Sequence, residues 1–343
     1  MSARPFDALV ITSIAPPTEI LRVYARECSQ RGIHFILIGD TKSPADFYLP
    51  GCDFYSIERQ RSLPFHLARL LPERHYARKN LGYLIAWQAG ARIVAETDDD
   101  NIPLESFWQT PRPRVAVRVA EGCGWVNVFR YFSAAHVWPR GYPLERVQAP
   151  LVPREQLPIR NVTCFIQQGL ADENPDVDAV YRMTQPLPVC FSREEPIGVG
   201  RGAWCPFNSQ NTVWFREAAP LMYLPAHCSF RMTDIWRSFV AHRIGWEYGW
   251  HVLYTAPTVR QERNEHNLLR DFADEVPGYL HNTELCAALA EHTLSMELQH
   301  MTANLRACYK VLRDLQLVGD VEETLLDAWC EDIKRLCSDD VRH

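Results

Sequence analysis

The chain lacks any Cys-x-x-Cys pair, and its 11 cysteines are odd in number and irregularly spaced. Neither a zinc ribbon nor a closed disulfide framework fits that pattern, so free thiols in a reducing cytoplasm are expected. Cys164, Cys190 and Cys228 lie in apolar surroundings and are expected as small core residues. No signal segment is recognisable, and no apolar run is long enough to span a bilayer. The expectation is a cytoplasmic protein with, at most, peripheral membrane association. A basic excess is also missing: the formal net charge is −6, which argues against nucleic acid as the main partner. There is no G-x-G-x-x-G fingerprint, so a Rossmann dinucleotide site is not expected. The glycine-rich stretch from Ile197 to Gly202 has no P-loop lysine, and reads instead as a flexible loop able to close over a ligand. No internal repeat is found.

What is present is ordinary for a folded protein: 343 residues, 47% hydrophobic and 23% charged, enough for one large α/β domain with an appendage or for two domains. The central stretch runs Ile93-Val94-Ala95-Glu96-Thr97-Asp98-Asp99-Asp100-Asn101. A β-branched run reads as a short buried strand, and Asn101 with Pro103 as the turn that ends it. Three adjacent carboxylates repel one another unless neutralised. They are either a solvated acidic turn or, at the carboxyl end of a strand in an α/β sheet, a site for a hard cation such as Mg²⁺ or Mn²⁺. Ahead of it, Ala8 to Ile14 and His34 to Asp40 read as strands flanking a helix that ends at Gly32, a βαβ opening with an acidic tip. Arg78 to Gly90 reads as a helix with Gly90 as its C-cap. Arg78 and Lys79 in its first turn oppose the helix dipole, which suits either an anion or a solvated basic face.

Further on, strands are expected near Val115 to Val119, Trp125 to Phe129 and Thr163 to Gln168. The proline-rich stretch from Trp138 to Pro158 is expected to take an extended path over the surface. Thr233 is a natural N-cap for a helix with Asp234 in its first turn, where a carboxylate has a purely structural use as well as a catalytic one. A strand from Gly249 to Tyr254 and a polar run from Gln261 to His266 follow. From Thr283 the periodicity is helical, and this tail is expected to pack on the domain or on a second copy of the chain. The division implied is 1–282 for the main domain and 283–343 for a helical segment.

The order of these features resembles a GT-A glycosyltransferase, in which a D-x-D motif holds a metal and the diphosphate of a sugar nucleotide. The resemblance is sharper to the STELLO-type glycosyltransferase family. It rests on Arg78-Lys79-Asn80-Leu81-Gly82-Tyr83, Asp98-Asp99-Asp100-Asn101 and Trp138-Pro139-Arg140-Gly141-Tyr142-Pro143-Leu144. Asn208-Ser209-Gln210-Asn211-Thr212, Thr233-Asp234-Ile235-Trp236-Arg237 and Gln261-Glu262-Arg263-Asn264-Glu265-His266 complete the set. A more distant similarity is to the reversibly glycosylated polypeptides, the UDP-arabinopyranose mutases, through the Asp triplet, the Arg-Gly-Tyr-Pro segment and the Asp-started helix.

What the resemblance implies is a Rossmann-like mixed sheet flanked by helices, with a C-terminal helical appendage. The implied activity is metal-dependent transfer of a sugar from a nucleotide sugar, UDP-linked by the pattern, to a glycan or other hydroxyl acceptor, with inversion. The alternatives are a UDP-sugar mutase or a non-catalytic nucleotide-sugar-binding scaffold. Thr12, Ser13 and Asp40 are the candidate nucleoside contacts, Arg78 and Lys79 the diphosphate contacts, and Asp98 and Asp99 the remaining donor contacts. Asp100 and His266 are the candidate ligands of Mn²⁺ or Mg²⁺, and Asp234 the candidate base. A homo-oligomer through the C-terminal helices is compatible with the pattern.

Overall fold

The structure, a computed structural model, describes residues 4–264 and 267–339. Twelve strands form in chain order: β1 (Ala8–Thr12), β2 (His34–Ile38), β3 (Asp53–Tyr55), β4 (Ile93–Thr97), β5 (Asn101–Pro103), β6 (Arg114–Ala120), β7 (Gly124–Trp125), β8 (Ile159–Asp172), β9 (Ile197–Val199), β10 (Ala203–Trp204), β11 (Asn211–Phe215) and β12 (Trp250–Gln261). The helices are α1 (Glu19–Arg31), α2 (Ile57–Arg61), α3 (Lys79–Gln88), α4 (Ala179–Thr184), α5 (Thr233–Glu247), α6 (Leu268–Glu291), α7 (Met301–Asp314) and α8 (Glu322–Asp339). The chain is therefore mixed α/β, as expected. No helix among the described residues is long and apolar enough to cross a membrane.

Ten strands make one sheet in the order β3-β2-β1-β4-β11-β8-β6-β9-β12-β5. The strands β3, β2, β1 and β4 run parallel, so the ends of β1, β2 and β4 open on the same side. The partner β11 runs antiparallel to β4, with Asn211 opposite Thr97. Beyond the Asp triplet the chain turns into β5, which pairs with the end of β12 and sets Asn101 opposite Gln261. That pairing pins the triplet between two strand ends. Local chemistry explains the flanking elements: Thr18 Oγ1 accepts the Leu21 N–H to start α1, and Gly32 at φ 66° closes it.

The helix α3 is buried on every side from Lys79 to Trp87, because it lies between the parallel strands and α8. Its approach to the sheet is close, and a Cβ at Gly82 would overlap the Val10 side chain.

Several expectations change. The proline-rich stretch runs over the surface only in its second part, from Leu144 to Pro158: Val137 to Pro143 is buried, and Gly141, at φ 86°, lies against Ile235 of α5. In the buried part the prolines fix an irregular path that the core then covers. Ile197 to Val199 is a buried strand, not a mobile loop, because its backbone pairs with β6 on one side and β12 on the other, and only Arg201 and Gly202 form a turn. Thr233 is the first residue of α5 rather than its N-cap, and makes no cap hydrogen bond. Trp125 to Phe129 yields only the short β7 before a 3-10 turn. Of the three cysteines expected inside, Cys164 is buried, Cys228 half-buried and Cys190 exposed; all ten described cysteines are free.

The division expected after residue 282 falls inside α6. The tail packs on the rest of the chain through polar anchors as well as apolar ones. Asp332 accepts the N–H groups of His66 and Leu67, both at 3.0 Å, and Glu322 accepts those of Ala226 at 3.1 Å and His227 at 2.7 Å.

Gly141→Ala would force a side chain into the left-handed region and against Ile235. It should destabilise the fold by roughly 2–4 kcal/mol in urea unfolding. A change within error would mean that this buried segment is free to shift.

Candidate active site

The ends of β1, β2 and β4 open into a cavity of about 430 Å³. Thr12, Ser13 and Ile14 follow β1, Gly39 and Asp40 follow β2, and Asp98 to Asp100 follow β4. Across from them stand Arg140, Asp176, Ser209, Arg231, Asp234 and Arg263. Binding sites at the carboxyl ends of parallel strands are the rule for open α/β sheets.

Of the residues expected at a site, Thr12, Ser13, Asp40, Arg78, Asp98, Asp99, Asp100 and Asp234 all line this one cavity. Lys79 does not. It is fully buried beneath the floor, where its ammonium donates to Thr97 O at 2.9 Å, Ser209 O at 3.0 Å and Tyr76 Oη at 2.9 Å. It also lies 3.4 Å from Asp98 and 3.9 Å from Glu96. Lys79 thus acts on the site as a fixed counter-charge behind the triplet, not as a wall residue, because α3 turns it inward under β4. His266 lies outside the described residues.

Asp40 serves its own loops. Its carboxylate accepts the N–H groups of Thr41 at 2.6 Å, Arg74 at 2.9 Å and His75 at 3.0 Å, which folds the 74–75 segment over the β2 end. Arg78 precedes α3 and is 2% exposed. It donates to Gln60 Oε1 at 2.7 Å and to Leu71 O at 3.1 Å, yet its Nη2 has no hydrogen-bond partner among the described residues. Burial lowers its pKa, and no carboxylate among the described residues forms an ion pair with it. A buried donor without an acceptor carries a desolvation penalty that a bound anion would relieve.

The three aspartates differ by environment. Asp98 keeps 31% of its side-chain surface open, but protein surrounds it closely enough for desolvation to dominate. Burial pushes its pKa up to about 7; Lys79 opposes the shift, and Asp100, Asp99 and Asp234 add to it. Asp99 is raised as well, by burial first, against a hydrogen bond donated by Ser13 Oγ. Asp100 is 8% exposed and oriented by Gln261 Nε2 at 3.1 and 3.2 Å and by the Asn264 N–H at 3.4 Å. Among the described residues no three His, Cys, Asp or Glu side chains converge as a complete metal cage. The donor chemistry, hard carboxylate oxygen beside open cavity, nonetheless fits an ion such as Mg²⁺, which takes one or two carboxylates and fills its shell with water and phosphate oxygens.

Asp234 is the opposite case. Burial pushes its pKa up, but the Arg140 guanidinium overrides it and holds the carboxyl well below the usual range. Arg140 donates Nη1 to Asp234 Oδ1 and Nη2 to Oδ2, each at 3.0 Å, while the Ser209 N–H and Oγ donate at 3.1 Å. The same guanidinium holds Asp176 through Nε at 2.8 Å and Nη2 at 2.7 Å, with Asn208 Nδ2 adding 2.9 Å. Two pole-like walls result: an acidic one raised in pKa at β4, and an arginine-clamped one opposite.

Arg140, Asp176, Ser209, Arg231, Gln261 and Arg263 were assigned no role from sequence. Arg140, Ser209, Gln261 and Arg263 do lie in motif stretches, and the dense run of polar residues from Asn208 to Thr212, all buried here, is a further signal. Asp176 carried none.

The fold and cavity define a mixed α/β protein with a cleft at its strand ends lined by both carboxylates and guanidiniums. Residues 231–339 match the model of the STELLO glycosyltransferases. The chain is 29% identical over 272 residues to an Arabidopsis thaliana protein named "Probable glycosyltransferase STELLO2", covering 74% of this chain and 35% of that protein. It is 28% identical over 280 residues to "Probable glycosyltransferase STELLO1" of the same plant, with the same coverage. The chain thus spans about a third of the length of the curated relatives it matches. These comparisons support the STELLO-type family to which the motifs pointed, and the matched region continues through α7 and α8.

Removing the charge of Asp98 tests the electrostatics directly. Between the ordinary value of 3.8 and about 7, the folded state keeps a proton that the unfolded chain has released. The stability cost of Asp98 therefore grows as pH rises through that window and is full above it. Asp98→Asn should raise the melting temperature relative to the parent protein more at about pH 8 than at about pH 5. An equal or opposite shift would mean that Asp98 is solvated.

Proposed function

We propose that this chain is a glycosyltransferase of GT-A type that takes a nucleotide sugar, UDP-linked, and transfers the sugar to an acceptor hydroxyl with the help of Mg²⁺ or Mn²⁺. The observation that carries the reading is the meeting of the β1, β2 and β4 ends with the Asp triplet in one cavity. The STELLO similarity supports it.

On this reading the nucleoside lies against Thr12, Ser13 and Asp40, and the diphosphate lies between Arg78 and the triplet. Asp100, with Asp98 and Asp99 beside it, would hold the cation, which neutralises the charge of the departing diphosphate. The chain's own contribution is positional. Gln261 and Asn264 fix the Asp100 carboxylate, and Lys79 offsets the repulsion within the triplet without spending cavity volume.

Asp234 is the candidate to accept the proton of the acceptor hydroxyl, which would give inversion. The Arg140 pair keeps it ionised at any working pH, so it is always free of a proton. The same pair lowers its basicity, and a general base works best with a pKa near the operating pH. Proton transfer to Asp234 therefore requires the Arg140 contact to loosen as the acceptor binds. Asp234→Asn should reduce transfer on the order of a hundredfold or more in a donor-consumption assay, while UDP binding survives. Near-normal transfer would leave Asp234 with only its structural role beside Arg140 and Ser209.

Calorimetric titration with UDP, GDP and CDP, each with and without Mn²⁺, tests the donor site. UDP should bind with Mn²⁺ and stabilise the fold by about 2.7 kcal/mol at one hundred times its dissociation constant, an effect lost in Asp100→Asn. No binding by any nucleotide would remove the reading.

A further inference from the structure

The β2 end of the cavity is shaped by a short segment outside every motif. The Asp40 carboxylate accepts the N–H groups of Arg74 at 2.9 Å and His75 at 3.0 Å. Arg74 takes φ 56°, left-handed backbone that a residue with a side chain adopts at a cost. His75 then caps the turn Tyr76–Arg78, its Nδ1 accepting the Ala77 N–H at 3.0 Å. An accepting Nδ1 carries no proton, so the neutral ring carries its proton on Nε2. Burial lowers the pKa of this ring, His227 adds to the shift and Asp40 opposes it, so the ring is neutral near pH 7. Its Nε2 has no hydrogen-bond partner among the described residues and is not an enclosed atom, and the half-buried His75 lines the cavity. The site therefore holds one oriented N–H donor that the protein itself does not use.

Its place in the sheet says what it faces. The strand β1 stands between β2 and β4. Strands lie roughly 4.8 Å apart, so the ends of β2 and β4 are separated by about 10 Å. The span from the diphosphate of a nucleotide to its base is of that order. With the diphosphate at the triplet, the base falls at the β2 end, beside the segment that Asp40 holds. Ile14, which follows β1, and Phe230, whose ring centroid is 5.9 Å from that of His75, are each 51% exposed and offer apolar surface to a flat ring. Asp40 has little capacity left to read a base, because it accepts the Thr41 N–H at 2.6 Å as well as those of Arg74 and His75. Lys42 also lines the cavity, but it is exposed and gives charge without a fixed direction.

A fixed donor with no acceptor beside it favours a carbonyl and rejects an amine at the same point. Uracil carries a carbonyl at C4, where cytosine carries an amine. We infer that His75 Nε2–H donates to the 4-carbonyl oxygen of uracil, and that His75 makes the site select uridine over cytidine nucleotides. This inference rests on the nucleotide-sugar reading above.

The test is calorimetric titration with UDP and with CDP, both with Mn²⁺, on the parent protein, His75→Asn and His75→Gln. Asn is a favoured N-cap whose carbonyl can still accept the Ala77 N–H, but no group of it reaches as far as Nε2. Gln keeps an N–H donor near the Nε2 position. The parent should bind UDP roughly tenfold or more tighter than CDP. In His75→Asn the preference should fall to within about twofold through weaker UDP binding, and His75→Gln should restore part of it. 4-Thio-UDP, with a weak acceptor at the same atom, serves on the parent protein should His75→Asn unfold: weaker binding than UDP supports the contact, and equal binding overturns it. Equal affinity of the parent for UDP and CDP, or a preference that survives in His75→Asn, overturns the inference and leaves the nucleotide reading intact. An equal loss of both nucleotides in His75→Asn overturns it too, because His75 then touches a shared phosphate or ribose oxygen. Absence of UDP binding removes both.

Discussion

The buried ammonium of Lys79 is the contact on which the rest of the cavity depends. It sits at the start of α3 with no exposed surface and binds the carbonyls of Thr97 and Ser209 together with the Tyr76 hydroxyl. It thereby ties the end of β4 to the polar segment that leads into β11. It also places a full positive charge directly behind Asp98. Without a counter-ion there, three adjacent carboxylates in a concave, partly desolvated position would repel strongly. Burying a lysine is expensive, and this one is justified only by the acceptors packed around it.

The same logic, differently resolved, operates on the other wall. Arg140 lies between Asp176 and Asp234 and keeps both ionised, while Asp98 is pushed up to about 7 by burial and its acidic neighbours. Two carboxyl populations with proton affinities driven apart therefore share one cavity. Such separation is how a single site divides roles between groups of the same type. On the proposed reading, the β4 side awaits a cation and the arginine side receives the sugar and acceptor. The C-terminal helices contribute indirectly. α8 packs on α3, and Asp332 and Glu322 accept the N–H groups of Leu67 and Ala226 in neighbouring segments, so the tail helps to hold the element that carries Lys79.

Much of this was legible in the sequence because it is local. β-branched runs named the strands β1, β2 and β4; Gly32 and Gly90, both at positive φ, marked where helices end; and the triplet stood at a strand tip in the sequence as in the fold. Residues drawn together by tertiary contact were not legible. The Arg140–Asp234 pair spans 94 positions, and nothing in either neighbourhood names the other. Lys79 was placed in the right helix but on the wrong side of it, because α3 is buried all round and gives no periodic hint of direction. Prolines between Trp138 and Pro158 suggested a surface path, which holds after Leu144, but apolar neighbours draw Trp138 to Pro143 into the core. Glycine between Ile197 and Gly202 suggested motion, whereas Gly198 lies in a paired strand and a Cβ at Gly200 would overlap the His251 ring.

The central claim is that the strand ends and the Asp triplet together hold a nucleoside diphosphate and a divalent cation. A crystal structure of the protein with UDP and Mn²⁺ tests it most directly. The account predicts density for the cation at Asp100, the diphosphate between the triplet and Arg78, and the uridine against Thr12, Ser13 and Asp40. A nucleotide seated elsewhere, or an empty cavity at saturating UDP and Mn²⁺, would contradict it.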